Sequence, residues 1–408
     1  MDFVLDIPKI SLRVLSCVLL TVSFCRAAPQ YHVLHGFTGG ADGGGAFGGP
    51  ALDRNGKVFG TTSGGGAYGL GTVYVVKPKS HGEWVEKVLH SFNNDEGIEP
   101  EAGVTFDAAG NFYGAAQLRG LNNGGSIFQM TPSPAGWTFT VTYQFCAQPG
   151  CSDGGGPSGP VTLDGEGNIF GTAFNVFELS PAGPSWMETV LHDFCQKCND
   201  GWQPFSGVTL DAKGNLYGTT LSGGKGGAGV VFKLRHMPDG TWQERILHSF
   251  PSFSNDGGEP GFATPVFDPA GSLYGTTVAG GGHRCGETTC GTVYKLTKQP
   301  NGHWKETILH SFKKISSGYG PSAGVVFDKD GNLYGTTAGG GSYCDCGVIY
   351  QLSPNPDGTW TYTVLHNFAG TDGAGPGGGL ILDDHGNLYG TAFTGGPGGA
   401  GVVFELTP

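Results

Sequence analysis

The chain has 408 residues, of which 77 are glycine and only 14% are charged; 34 acidic side chains stand against 22 basic ones, a formal net charge of −12. An acidic balance of this kind disfavours nucleic acid and anionic lipid as partners. Aromatic residues at 12% exclude the reading of a disordered glycine-rich chain.

Residues 1–27 read as a secretory signal. Lys9 and Arg13 precede an apolar run from Val14 to Phe24, and Cys25-Arg26-Ala27 ends in a small residue suited to cleavage. The run is shorter than the roughly 20 apolar residues that span a bilayer. An uncleaved anchor is the alternative. No later segment is apolar enough to cross a membrane, so the remainder is expected to be secreted, periplasmic or at the cell surface, with no membrane insertion after leader removal. Without Asp2, Asp6, Lys9, Arg13 and Arg26 the remainder keeps 19 basic and 32 acidic side chains.

Beyond the leader, a stretch of the form Asp-x-x-Gly-Asn-Leu-Tyr-Gly-Thr recurs. Its anchoring aspartates are Asp53, Asp107, Asp164, Asp211, Asp268, Asp328 and Asp383, spaced 54, 57, 47, 57, 60 and 55 residues apart. A fixed period of this size means a tandem-repeat fold. Each copy carries four β-like runs, rich in β-branched and aromatic residues and bounded by Gly, Asp, Asn or Pro. In the fourth copy these are 206–211, 215–220, 229–234 and 242–250. No segment has a helical apolar period.

The ends of the pattern choose between an open stack and a closed ring. Tyr31-His-Val-Leu-His-Gly-Phe37 is a lone fourth-type strand, and Gly401-Val-Val-Phe-Glu-Leu406 is a third-type strand with no fourth after it. Each supplies what the other lacks, and closure removes the exposed sheet edges of an open array. The expectation is an all-β, seven-bladed β-propeller of four-stranded antiparallel blades. It would be closed by one N-terminal strand plus three C-terminal strands and form a single domain over 31–408.

Repetition itself argues for structural roles. Asp-x-x-Gly-Asn suits the hairpin between first and second strands, with Asp capping the turn and Gly in the left-handed position. Seven equivalent copies cannot all be catalytic. His35, His90, His192, His248, His310 and His366 share one position, with Tyr143 standing in at another copy. Ring symmetry would spread them too far apart to share one ion, so a buried hydrogen-bonding role is expected. Trp84, Trp137, Trp186, Trp242, Trp304 and Trp360 are expected to pack between blades. No tightly bound metal and no cofactor is expected.

Strand alternation places second-to-third and fourth-to-first loops on one face, here called the variable face. It carries the glycine-rich loops, a recurrent Asp-Gly (Asp42, Asp153, Asp200, Asp256, Asp372) and eight cysteines in close pairs. These are Cys146/Cys151, Cys195/Cys198, Cys285/Cys290 and Cys344/Cys346, and an even count in an exported chain favours disulfides. Cys195-x-x-Cys198 also fits a redox or metal half-site. Cys344-x-Cys346 looks too tight for a local bridge, so cross-pairing with Cys285 or Cys290 is an alternative.

The Gly-Asn-Leu-Tyr-Gly-Thr-Thr cores at 214–220 and 331–337, with Gly-Thr-Val-Tyr at 291–294 and Leu-His-Ser-Phe at 247–250, carry a family resemblance. Residues 31–408 resemble the Gloeo/Verruco (GloVer) tandem-repeat family. The resemblance implies an exported bacterial-type repeat protein and brings no catalytic residues. Relatives often end in a surface-anchoring tail, whereas this chain stops at Glu405-Leu-Thr-Pro408. Asp239-Gly-Thr-Trp242 and Asp357-Gly-Thr-Trp360 faintly resemble the Asp-box turn of sialidase-type propellers. That box is structural, and no arginine triad accompanies it.

Departures from the repeat are the better functional clues. The third copy runs from Gly171-Thr-Ala-Phe174 almost directly into its third strand, which should open a notch on the variable face. Arg119, Trp202, His283, Arg284 and Tyr319 also break the pattern there and are the candidate ligand-binding residues. A notch flanked by aromatics and a few charges suits a sugar or other polar polymer. The expected function is a monomeric binding or scaffold module for an extracellular glycan or other polymer. A propeller lyase or glycoside hydrolase is one alternative. Glu96, Glu99, Glu101 and Glu259 would be its channel-mouth carboxylates, but no pair of them stands out. An envelope scaffold for protein partners is the other.

Overall fold

In the computed structural model, which describes residues 28–195, 199–251, 255–285, 288–313 and 315–408, seven four-stranded antiparallel sheets form a propeller. The leader reading falls on residues outside this set. Blade 1 is typical, with strands Ala51–Leu52, Val58–Thr62, Thr72–Pro78 and Trp84–Ser91 from the axis outward. Among the described residues the only helical pieces are three single 3₁₀ turns. The seventh blade is composite. Gln30–Gly36 pairs antiparallel with Val402–Thr407, setting Gln30 opposite Thr407 and Gly36 opposite Val402. Closure therefore joins the two ends of the pattern, as expected from the sequence.

The Gly-Thr core is explained at the second strand. A Cβ on Gly60, Gly114, Gly171, Gly218, Gly275, Gly335 or Gly390 would collide with the ring of Tyr74, Phe128, Phe177, Phe232, Tyr294, Tyr350 or Phe404 at 2.4–2.7 Å. In every blade a third-strand aromatic thus lies flat on a second-strand glycine. The threonine that follows reaches the next blade. Thr61 Oγ1 donates to the carbonyl of Ala102 at 3.0 Å, Thr172 to Ser206 at 2.7 Å, Thr276 to Ala323 at 2.7 Å and Thr391 to Gly48 at 3.0 Å. The last of these joins blade 7 to blade 1. Blade 2 has Ala115 at this position and makes no such bond.

First strands are shorter than the sequence suggested: 209–210 pairs, rather than 206–211. The preceding residues lie at the axis, where neighbouring blades touch through their backbones. A Cβ on Gly159 would come within 2.4 Å of Ser206 and Gly207, and one on Gly48 within 2.6 Å of Ala102. No ladder partner fits there.

The hairpin aspartates are structural. Asp211 Oδ1 accepts the amides of Lys213 and Asn215, both at 2.9 Å, and its Oδ2 accepts the Tyr217 hydroxyl at 3.0 Å. Trp137 sits against Phe59, 5.5 Å between centroids, and Trp186 against Tyr113, so the hairpin tryptophans do pack between blades.

Three disulfides lie within the described residues: Cys146–Cys151, Cys285–Cys290 and Cys344–Cys346. The Cys195/Cys198 reading falls on Cys198, outside the described residues. The suspicion against a local Cys344–Cys346 bridge is corrected. Asp345 between them takes a left-handed conformation, φ 62°, which folds the segment to a Cα separation of 5.1 Å, inside the ordinary disulfide range.

Thr391 is buried, and valine keeps its shape while removing the donor. Thr391→Val should lower the unfolding free energy by about 1–3 kcal/mol, because the Gly48 carbonyl is left unpaired in the interior. Urea denaturation followed by tryptophan fluorescence reads this directly.

Candidate functional site

Seven equivalent residues ring the axis on the variable face, in six blades three positions after an acid, Asp42, Glu96, Asp153, Asp200, Asp256 or Asp372, and in the sixth blade three after Ser317. They are Gly45, Glu99, Gly156, Gln203, Glu259, Gly320 and Gly375, all with φ between 55° and 70°. Glycine takes this conformation freely, whereas other residues are strained in it. Three blades nevertheless place Glu99, Gln203 and Glu259 here. Where the ring keeps glycine, aromatic groups fill two of the four places. A Cβ on Gly45 would meet the Phe393 ring at 3.0 Å, and one on Gly156 the Phe174 ring at 3.2 Å. The acidic Glu99 therefore stands between blades that present Phe393 and Phe174.

Just inside this ring lies a cavity of about 400 Å³, lined by Phe47, Glu101, Gln117, Phe205 and Phe262 among glycine backbone. Phe47 meets Phe393 edge-on at 5.9 Å, and Phe205 stacks on Phe262 at 5.8 Å. Burial and then the neighbouring Glu99 raise the Glu101 carboxyl above its usual range. In six blades a bridge between the Asp-Gly element and the second-to-third loop stiffens the rim, as in Ile98 opposite Leu118 and Gly257 opposite Gly280.

The third copy lacks the second-to-third loop of the other blades. Ile169–Thr172 turns into Asn175–Ala182 through two residues, leaving Phe174 50% exposed at φ 62°. Of the eight large apolar residues exposed among the described residues, seven lie on variable-face loops: Tyr68, Leu118, Leu121, Phe174, Phe262, Tyr343 and Phe393. The exception is Met187.

The five candidate ligand-binding residues share this face but do not converge. Arg119 is exposed on one loop, and the adjacent His283 and Arg284 on another. Trp202 is half-buried against the cluster of Val176, Phe194 and Val230. Tyr319 is half-buried too and donates to Asp345 Oδ2 at 2.9 Å. None of the five lines the cavity. Among the carboxylates considered, Glu99, Glu101 and Glu259 reach the mouth, whereas Glu96 does not. The left-handed ring was hidden from sequence reading because glycine, glutamate and glutamine do not look like one position.

Farther out, the repeated histidines have a role. His90 Nε2 meets Glu96 at 2.9 Å, His192 meets Asp200 at 3.1 Å, His248 meets Asp256 at 3.2 Å and His366 meets Asp372 at 3.0 Å. The Asp-Gly element is thus the acid partner of the preceding strand. The next blade adds a third group. At four interfaces it is a glutamate two residues after the hairpin tryptophan: Glu86, Glu188, Glu244 and Glu306. At three it is an aromatic ring, and Phe139, Tyr362 and Tyr31 stack on His90, His310 and His366 at 3.7–4.1 Å. The recurring Trp-x-Glu was a signal that sequence reading missed.

These glutamates meet an aspartate in partial burial. Burial first, then a hydrogen bond to Asp256 and the charge of Asp256, push Glu306 up to about 9. Burial and the facing aspartate push Glu86, Glu188 and Glu244 up to about 7. At Asp200/Glu244 and Asp256/Glu306 a hydrogen bond between the two carboxyls favours a proton on the glutamate. The trios His192/Asp200/Glu244 and His248/Asp256/Glu306, with ligand atoms within 4.8 Å, could also hold a divalent ion, which the sequence reading did not foresee. At the interface where Tyr143 replaces the histidine, its hydroxyl donates to Asp153 at 2.9 Å, and the charge of that aspartate acts on Glu188.

The model for the Gloeobacter/Verrucomicrobia repeat matches residues 20–175 and 284–408. The propeller is therefore of the tandem-repeat class, and the chain belongs to the Gloeobacter/Verrucomicrobia repeat family. No curated protein matches it. Among solved structures it resembles a 6-phosphogluconolactonase candidate from Bacteroides uniformis, at 14% identity and TM-score 0.50, covering 77% of this chain and 83% of that one. It also resembles an ancestral GH74 enzyme, at 10% identity and TM-score 0.52, covering 88% of this chain and about half (51%) of that one. At such identities the likeness concerns the fold alone.

Because the raised Glu306 carboxyl is neutral in the folded state, its contribution is full below the unfolded carboxyl value and is lost as pH rises toward about 9. Glu306→Gln should therefore flatten the fall in melting temperature between about pH 5 and pH 9, narrowing its deficit or becoming the more stable form at the alkaline end. Parallel melting curves of both proteins across that range check this.

Proposed function

We propose that the protein is an exported binding module whose site is the variable-face mouth of the central channel, and that its ligand is an extracellular glycan chain. The observation that carries this reading is the set of exposed aromatic side chains at that mouth, Phe174, Phe262 and Phe393, interleaved with Glu99, Gln203 and Glu259. Aromatic faces accept the C–H face of a sugar ring, and carboxylates and amides accept its hydroxyl protons. Holding three polar residues in a conformation glycine would adopt more cheaply supports a selected role, since strained backbone concentrates at functional sites. Arg119, Trp202, His283, Arg284 and Tyr319, farther out on the same face, would extend the contact with a polymer. Disulfides within the described residues fit an oxidising compartment, in line with secretion or a periplasmic location.

The test incubates the oxidised protein with soluble and insoluble polysaccharides and records bound protein and released products together. Binding without product is expected. Phe174→Ala should weaken it about three- to tenfold, the worth of one aromatic contact. Glu99→Gly should weaken it while raising the melting temperature slightly, since glycine is unstrained there. Product release would replace this reading with a propeller hydrolase or lyase. Absence of binding across the panel would leave the protein-scaffold alternative.

A further inference from the structure

The opposite face of the propeller carries a charge anomaly. Five of the 22 lysines and arginines in this acidic chain, Lys213, Lys233, Arg235, Arg245 and Lys298, converge on one cleft of about 610 Å³ between blades 4 and 5. Lys213 comes from the first-to-second hairpin of blade 4. Lys233 and Arg235 lie on strand Gly227–His236, Arg245 on Trp242–Pro251 and Lys298 at the end of Thr292–Lys298 in blade 5.

Little in the cleft neutralises them. Lys233 donates to the Tyr217 hydroxyl at 2.7 Å and lies 3.6 Å from Asp211 Oδ2. Arg245 donates through Nη2 to the Gly302 carbonyl at 2.7 Å, a neutral acceptor. Among the described residues, the side chains of Lys213, Arg235 and Lys298 make no side-chain hydrogen bond or ion pair. The lining carboxyl Glu244 faces Asp200 and His192 and is pushed up to about 7, so it offers only a fractional charge. Asp239, nearby on the hairpin, caps its own turn through Thr241. Burial first, and also the neighbouring Lys298 and Arg235, pull Lys233 below its usual range against the opposing pull of Asp211.

A second hollow of about 500 Å³ shares Lys233, Arg245 and Lys298 with the first and adds an apolar wall of Leu210, Leu247, Phe267 and Trp304, with Asp211 paired to Lys233 and Asp268 paired to Lys295 at 3.4 Å. Three cations thus stand on the seam between a basic cleft and a greasy one. Both volumes fall within the range of small-molecule sites. The net negative charge of the whole chain repels a long polyanion, which leaves a compact ligand.

We propose that this cleft binds a small oxyanionic ring compound, its phosphate or carboxylate held by Arg235, Arg245 and Lys298 and its ring laid against Trp304. Arginine offers a fork that matches an oxyanion, and lysine adds a point charge. The site is independent of the channel mouth.

Calorimetry at low ionic strength tests it, with a hexose 6-phosphate, a hexuronate, inorganic phosphate and an uncharged hexose as probes. The hexose phosphate or the hexuronate should bind, and which is tighter identifies the oxyanion. The uncharged hexose should not. Added salt should weaken binding. Arg235→Gln with Lys298→Gln should weaken it at least about tenfold without moving the melting temperature, since both side chains are exposed. Trp304→Leu should weaken the ring compounds but leave inorganic phosphate unchanged. Failure of every charged probe to bind, or undiminished affinity in the Arg235/Lys298 double variant, overturns the proposal. Inorganic phosphate binding as tightly as hexose phosphate overturns the ring contact.

Discussion

Everything in this molecule depends on how closely seven inner strands approach a common axis. At that distance there is no room for side chains between neighbouring blades, and glycine backbone meets backbone, as Gly159 meets Ser206 and Gly207. Buried carbonyls at such a contact need donors. The second-strand threonines supply them across the gap, from one blade to the next. Each blade can then lay its own aromatic on its own glycine, and the wider outer strands fill the growing wedge with tryptophan, phenylalanine and leucine. The composition follows from this geometry: a protein built around a crowded axis must be rich in glycine.

The same constraint shapes the candidate site. Because the inner strands cannot move apart, the mouth of the channel is a fixed rim. Its chemistry changes only at the residues that face the opening. Glu99, Gln203 and Glu259 occupy places that glycine holds in other blades, and Phe393 and Phe174 cover two of those glycines. Function is written here as substitutions within a symmetric frame. A binding surface of this kind can be re-specified one blade at a time without disturbing the packing that holds it.

Blade number, closure and the role of the hairpin aspartates were legible because they repeat, and repetition separates structural residues from the rest. The interblade tryptophans followed from the same logic. What escaped notice depended on contacts between different copies. Asp200 answers a histidine eight residues before it and a glutamate 44 residues after it, and no local pattern joins the three. Arg235 and Lys298 belong to different blades, and no local pattern joins them. Trp202 and Tyr319 stood out as breaks in the pattern, yet both are half-buried within the packing, while the exposed Phe393 was not singled out. The Cys344–Cys346 bridge was misjudged because sequence spacing does not reveal that Asp345 turns the backbone back on itself.

The pairing of Gln30–Gly36 with Val402–Thr407 has a temporal side. The strand that precedes every blade along the chain is hydrogen-bonded to the third strand of the seventh, so the ring cannot shut before that blade has been made. Until then the outermost strand of the seventh blade is without its neighbour, and the contacts that seal the circle are among the most sequence-distant a chain of this length can form. Such contacts make for slow final assembly. A repeat array that must remain open until its seventh blade arrives is also one that stays threadable for longer.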